Sequence, residues 1–415
     1  MGGAHAHRAP AGHGHGHSHS HGDAPDLPVR RGPRAVLLAV LAALAVATVV
    51  GLFVLWPDPA KAPAPVDFFA KGEVAVKGTI ESVGKPCPTV AGPADQDCNR
   101  LKVQVDGGPV ASVSVPPYVL SSGLAAGDRL DLMKTPAQDG AEASYQFFGV
   151  DRDLPMGLML GAFVLVVAAV ARLRGLLAVV GLGVAGVVVW LFILPALLTG
   201  ESGTAVALVG AAAIMFVVLY LAHGPSLRTS AALAGTLAGV AMMALIGLWA
   251  VHAMRLAGVG DESGDFLTTY APLVNFRGLM SCAIIIAGLG VLNDVTITQA
   301  SAVWELQAAA PELSRRRLFT SAMRIGRDHI ASTIYTIVFA YAGTSLALLM
   351  LLSLYQRPLL DLISDEAIAE EIVRTLASAL GLVLAVPVTT AIAVATVGGA
   401  MARPDQPTNG RSGDD

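Results

Sequence analysis

Residues 292–306, LNDVTITQASAVWEL, set Asn293, Asp294, Thr298, Ser301 and Glu305 directly behind an apolar run from Gly278 to Gly290. If one helix continues through both, Asp294, Thr298, Ser301 and Glu305 fall at i, i+4, i+7 and i+11, a single face. A carboxylate at membrane depth costs about 2.5–3.5 kcal/mol on insertion scales. Its presence calls for compensation by a partner, water or an ion. Burial favours the neutral form of a carboxylate and a neighbouring Arg the charged form. Asp294 therefore has the setting of a proton- or cation-coupling group.

A second polar set follows in RIGRDHIASTIYTIVFAYAGTS, residues 324–345. At helical spacing Asp328, Ser332 and Tyr335 share one face, and His329, Thr333 and Thr336 share the adjacent one. Arg324 and Arg327 are near enough in sequence to neutralise either carboxylate. Tyr341, Gly343, Thr344 and Ser345 continue the polar, small-residue track. Blander roles compete with coupling. Asp328 is placed to cap its span, Ser and Thr also bond helices together without any transport role, and His223 and His252 lie near span ends, where imidazoles are solvated.

These residues need membrane helices to position them. The chain has 415 residues, 54% hydrophobic and 14% charged, against about 25% charged in soluble domains. Apolar runs of about 20 residues mark spans, and eight are expected, near 35–56, 154–172, 175–198, 203–222, 230–251, 277–298, 330–354 and 374–399. Loop charge agrees with that count. Arg30, Arg31, Arg34, Arg172, Arg174, Arg228, Arg315, Arg316, Arg317, Arg324 and Arg327 fall on one side. Glu201, Asp261, Glu262, Asp265, Asp361, Asp365, Glu366, Glu370 and Glu371 fall on the other. Both termini are then cytoplasmic. Span 1 is read as a retained anchor, because its apolar run exceeds a signal-peptide core and no small-residue cleavage site follows.

Five domains result. Residues 1–34 form a disordered His-rich cytoplasmic arm, in which His13, His15, His17, His19 and His21 take up metal only incidentally. Residues 35–56 form span 1, 57–153 an extracytoplasmic domain, 154–400 a seven-helix membrane domain and 401–415 a disordered cytoplasmic tail. In the external domain, VAVKGTIESV, NRLKVQVDG, ASVSVP, DRLDLMK and SYQFFGVDR alternate with Gly, Pro and Asp. They read as five strands of a small all-β, OB-like unit with a turn at Gly127–Asp128. All six lysines lie between Lys61 and Lys134. Cys87 and Cys98 flank one loop on the disulfide-permissive side, and closing it would stabilise the fold by about 3 kcal/mol. Cys282 sits alone in span 6.

The segments GLGVLNDVTITQASAVWEL and IGRDHIASTIYTIVFAYAGTSL resemble the YibE/F family of bacterial membrane proteins. The resemblance implies a multi-spanning, permease-like protein of the bacterial cytoplasmic membrane and supplies no substrate. Residues 334–336, Ile-Tyr-Thr, stand where that pattern carries a more polar Asn-Thr pair. The order LNDVTI, basic linker, GRDHIASTIYT is also similar to SecF-type proteins and proton-driven exporters, which makes proton coupling through Asp294 concrete.

The expectation is therefore an α-helical polytopic transporter that is not an enzyme, binds no cofactor or nucleic acid, and has the lipid bilayer as its main partner. A homo-oligomer or an envelope protein partner fits as well. The alternative is a non-transporting assembly or export factor whose β domain binds partners. An intramembrane hydrolase is the third reading, but no GxGD stands at Asp294 or Asp328, no HExxH motif occurs, and no Walker-type phosphate-binding loop is present.

Overall fold

The computed structural model describes residues 31–398 apart from 68, 71, 88–97, 138–141, 261 and 355–357. The imidazoles expected to meet metal, the first thirty residues of the arm and the 401–415 tail lie outside the described residues.

Helix α1 (Arg31–Val54) leads into five strands: β1 (Val74–Val83), β2 (Arg100–Val105), β3 (Val110–Ser114), β4 (Arg129–Thr135) and β5 (Ser144–Val150), with a short helix α2 (Pro117–Leu120) between β3 and β4. All pairings are antiparallel, in the order β3-β2-β1-β4-β5. β1 is the shared central strand: Thr79 pairs with Gln104 on one side and Arg129 on the other. Period-two alternation in RLKVQV puts Leu101, Val103 and Val105 inward, where they meet Ile80, Val113, Leu130 and Leu132. The sheet curls into a half-barrel. Gly127 takes the expected turn at φ +99°, and Cys87 and Cys98 are joined by a disulfide, with Cα atoms 4.8 Å apart.

The sheet meets the helix that follows β5 through charge. Lys77 Nζ lies 2.8 Å from Asp151 Oδ2 and 2.8 Å from Asp153 Oδ2, while Arg129 pairs with Asp106 and approaches Asp151 at 3.7 Å. Hydrogen bonds to Asp151 and then Asp153 raise the Lys77 ammonium above its ordinary pKa, and the bond from Lys77 holds the Asp151 carboxyl below its own.

The rest is helical: α3 (Asp153–Val188) continues through a wider π turn at Val189–Ile193 into α4 (Leu194–Leu198), then come α5 (Gly203–His223), α6 (Leu227–Ala253), α7 (Glu262–Tyr270), α8 (Phe276–Ala309), α9 (Arg315–Thr344), α10 (Leu346–Leu354), α11 (Leu359–Ile363) and α12 (Glu366–Thr396). Among the described residues six helices are long and apolar enough to cross a membrane, or seven if α9 and α10, bent by 64°, count as one span. The expected spans at 154–172 and 175–198 lie within the single 46-residue stretch Asp153–Leu198. That stretch breaks at Arg172, where φ is 53° and ψ is −141°. A Cβ on Gly175 would come within 2.8 Å of Val167 Cγ1, although residues eight apart in a straight helix are about 12 Å apart along its axis. The chain bends sharply there.

Side-chain caps start the later helices. Ser226, Asn275, Ser314 and Asp365 each accept a hydrogen bond from a first-turn amide. Helices α6, α8 and α12 form the centre of the bundle. Met243 of α6 fills the space left by Gly288 of α8 and Gly381 of α12; a Cβ at those positions would sit 2.4 Å from Met243 Sδ and 2.1 Å from its Cγ. Small residues thus let three backbones converge.

Candidate functional site

Helix α8 does run through the whole polar stretch, from Phe276 to Ala309. Its rotation differs from the transport-facing one: Asp294 and Glu305 are exposed, Asn293, Thr298 and Ser301 half-buried, and Thr296 and Gln299 buried. The Asp294–Glu305 face looks away from the bundle, and the adjoining face looks in. On α9, Arg324, Arg327, Asp328, Ser332 and Tyr335 are all exposed. Among the described residues no ion pair joins Asp294 or Asp328 to Arg324 or Arg327. Ser314 caps α9, so Asp328, fourteen residues on, caps nothing.

Depth follows from α5 and α8, which run parallel. Gly203 and Gly278 are in backbone contact where the two helices start; a Cβ on Gly203 would be 2.1 Å from the Gly278 carbonyl oxygen. At the other end His223 lies within electrostatic range of Asp294, Arg174 and Arg228. The order and type of these helices bring the cationic loop residues, the imidazole and Asp294 to one end of the bundle.

A buried polar cluster lies at that same end. Thr236 Oγ1 and Thr296 Oγ1 are 2.6 Å apart, joining α6 to α8. Gln299 Nε2 donates to Thr390 Oγ1 of α12 at 2.8 Å and to the Ala322 carbonyl of α9 at 3.0 Å. Gln299 is 2% exposed and Thr236, Thr296 and Thr390 are fully covered. Beside them Asn293 Oδ1 and His329 Nε2 are buried without a hydrogen-bond partner.

A second cluster occupies the opposite end. Arg374 Nη1 of α12 donates to Glu371 Oε1 at 2.6 Å, and Arg374 Nη2 reaches Met280 Sδ near the start of α8 at 4.0 Å. Tyr341 of α9 senses Arg374, Glu371 and Ser378. Glu371 Oε2, Arg374 Nε and Ser378 Oγ are buried without partners. Met243, between Gly288 and Gly381, forms an apolar waist between the two clusters.

Sequence reasoning named neither Gln299, Thr390 and Thr236 nor Arg374 as site residues. Gln299 stood inside the quoted stretch, but periodicity marked the Asp294 face of the helix and could not say which face turns inward. Arg374 was hidden by the rule that assigns basic residues to the other side. No group of three or more potential metal ligands occurs among the described residues.

Long apolar helices around a core of small and hydrogen-bonded polar residues define a polytopic, membrane-type helical protein whose uncovered apolar faces suit contact with lipid. The chain belongs to the YibE/F family: the family model for YibE/F-like protein matches residues 159–399. Neither a curated protein nor a solved structure matches it.

Proposed function

We propose that this protein is a permease of a bacterial cytoplasmic membrane, with both termini in the cytoplasm and a solute path between α8, α9 and α12. The observation carrying this reading is the concentration of buried, partnerless polar atoms on those three helices: Asn293 Oδ1, His329 Nε2, Glu371 Oε2, Arg374 Nε and Ser378 Oγ. Buried polar groups are ordinarily satisfied. Five that are not, lining two clusters on either side of an apolar waist, fit a path that admits polar solute. Asp294, beside His223 at the cytoplasmic mouth, is the coupling candidate.

Eight crossings go with this reading. The break at Arg172 makes Asp153–Leu198 a hairpin of two spans, and α9 with α10 makes one. The arginine-rich loops then share the cytoplasmic side, and the half-barrel, read as OB-like, lies outside with its disulfide.

Cysteine accessibility tests the path. In a Cys282→Ser background, single cysteines at Gln299, Thr296 and Ser378 should react with a small membrane-impermeant methanethiosulfonate in reconstituted vesicles. A cysteine at Ala385, packed in the core, should not. Complete protection of all three polar positions would leave a dry bundle. That outcome favours the second reading, an assembly factor, for which the exposed polar face of α9 (Arg324, Arg327, Asp328, Ser332) offers a docking surface for a homo-oligomer or an envelope partner.

A further inference from the structure

Glu371, Arg374 and Ser378 stand at i, i+3 and i+7 on α12, one face of the helix. Their ion pair uses Glu371 Oε1 and Arg374 Nη1. It leaves an acceptor, Glu371 Oε2, and a donor, Arg374 Nε, both buried and both without partners. Ser378, 3% exposed, adds a buried hydroxyl that faces Tyr341 without completing a hydrogen bond of normal geometry.

A simple cation would leave Arg374 Nε unanswered and would stand beside a guanidinium. A simple anion would leave Glu371 Oε2 unanswered and would face a carboxylate. A molecule carrying both an ammonium and a carboxylate answers both groups, and the pair keeps its own neutrality. Tyr341 and Glu371 also wall a cleft of about 290 Å³ between α9, α10 and α12, where Val338, Leu349, Ile372 and Leu376 supply an apolar surface. Apolar walls with a few convergent polar groups are the usual make-up of a small-molecule site.

We infer that this cluster binds a small zwitterion with a compact aliphatic side chain, the chemistry of an α-amino acid. Its ammonium meets Glu371 Oε2, its carboxylate meets Arg374 Nε and Ser378 Oγ, and its side chain turns to the cleft. The inference deepens the permease reading and rests on it, because it names the class of solute presented to the path.

Titration calorimetry of the full chain in lipid nanodiscs tests it with L-leucine, glycine and the two half-molecules of leucine, 3-methylbutylamine and 4-methylpentanoate. Leucine should bind saturably and each half-molecule roughly tenfold or more weakly, since each leaves a buried group unanswered. Glu371→Gln and Arg374→Gln should each abolish leucine binding. Should either variant misfold, Ala342→Phe fills the cleft without touching the pair, and it should weaken leucine while sparing glycine. Absence of saturable binding by both amino acids, equal binding by one half-molecule, or leucine binding unchanged in folded Arg374→Gln and in Ala342→Phe would overturn the site. Binding without movement of leucine across proteoliposomes would leave the site standing and remove the permease reading instead.

Discussion

Gln299 and Thr390 are held at 2.8 Å across the α8–α12 interface, and the same amide nitrogen also donates to the Ala322 carbonyl of α9. One side chain thereby ties three helices at one level of the bundle. Thr390 Oγ1 has its own acceptor in the Val386 carbonyl at 2.7 Å, so losing Gln299 does not orphan it.

The tie predicts an ordered series. Interhelical hydrogen bonds in membranes contribute about 0.6 kcal/mol on average, with a maximum near 1.7. Thr390→Val should therefore lower stability by about 1 kcal/mol or less, and Gln299→Leu by about 1–2. Gln299→Glu should be worst, because an ionised carboxylate donates nothing and would face the Ala322 carbonyl. Thermal melting in detergent gives the order, and Gln299→Glu as stable as Gln299→Leu would show that the amide hydrogen is not what holds α9.

The waist predicts a packing penalty. A Cβ on Gly381 would meet Met243 Cγ at 2.1 Å, and overpacking a tight core costs about 1–3 kcal/mol. Gly381→Ala should fall in that range, and Met243→Ala in the same chain should relieve most of it. Failure of the second change to rescue the first would place the strain elsewhere than between α6 and α12.

Much of this was legible beforehand, for identifiable reasons. The five strands followed from period-two alternation and turn residues, and the Cys87–Cys98 bridge from a short loop between paired strands. The helix caps at Ser226, Asn275, Ser314 and Asp365 were not read from the sequence, where Asp328 alone was placed as a cap. What the sequence could not supply was rotation. Asp294 and Gln299 are five residues apart on α8, about 140° around the helix. Which of them faces α12 depends on Gly326, Val386 and Thr390, residues far away in the chain. The Glu371–Arg374 pair was obscured for a different reason: loop charge sorts residues by side of the membrane and is blind to a basic residue that a partner neutralises within the helix.

Thiol chemistry separates the sides of the chain. Cys87 and Cys98 are bonded to each other and Cys282 is buried at 3% exposure. A membrane-impermeant maleimide applied to intact cells should label the protein only after mild reduction, at the first two positions. Labelling before reduction would remove the disulfide, and labelling that requires opened cells would put the half-barrel on the cytoplasmic side.

Asp294, the acid first singled out on grounds of coupling, is exposed, and its exposure sharpens its test. Replacing an exposed carboxylate with its amide removes charge without leaving a buried cavity or orphan. Asp294→Asn should reach normal levels in the membrane and lose transport. Asp328→Asn should be milder, since Asp328 does not cap α9 and pairs with no arginine among the described residues. Fully active Asp294→Asn would mean that the charge is not used. A degraded variant would instead make the carboxylate a structural partner of the cationic groups around His223.

The junction of half-barrel and helix should respond to pH at both ends of the scale. Lys77 is held by Asp151 and Asp153, which raise its pKa above the ordinary 10.5, while Asp151 is held below its ordinary 3.8 by Lys77. A depressed carboxyl contributes stability that is present above 3.8 and lost as pH falls through its lowered value. A raised ammonium contributes stability that is complete below 10.5 and lost as pH rises through its raised value. The clamp is therefore whole between about pH 4 and pH 10.5 and weakens outside that window. All three side chains reach solvent, so the effect should be modest and should shrink further in high salt. Hydrogen exchange of the backbone near Arg152 and Asp153 in the full chain is the measurement. Protection, taken as the intrinsic exchange rate at each pH divided by the observed rate, should be high at neutral pH, lower at pH 3, and already low at pH 7 in Lys77→Met, with little further fall on acidification. If Lys77→Met matches the parent chain at pH 7, the three-residue clamp does not restrain the junction, and the covalent link between β5 and α3 alone sets the half-barrel's position.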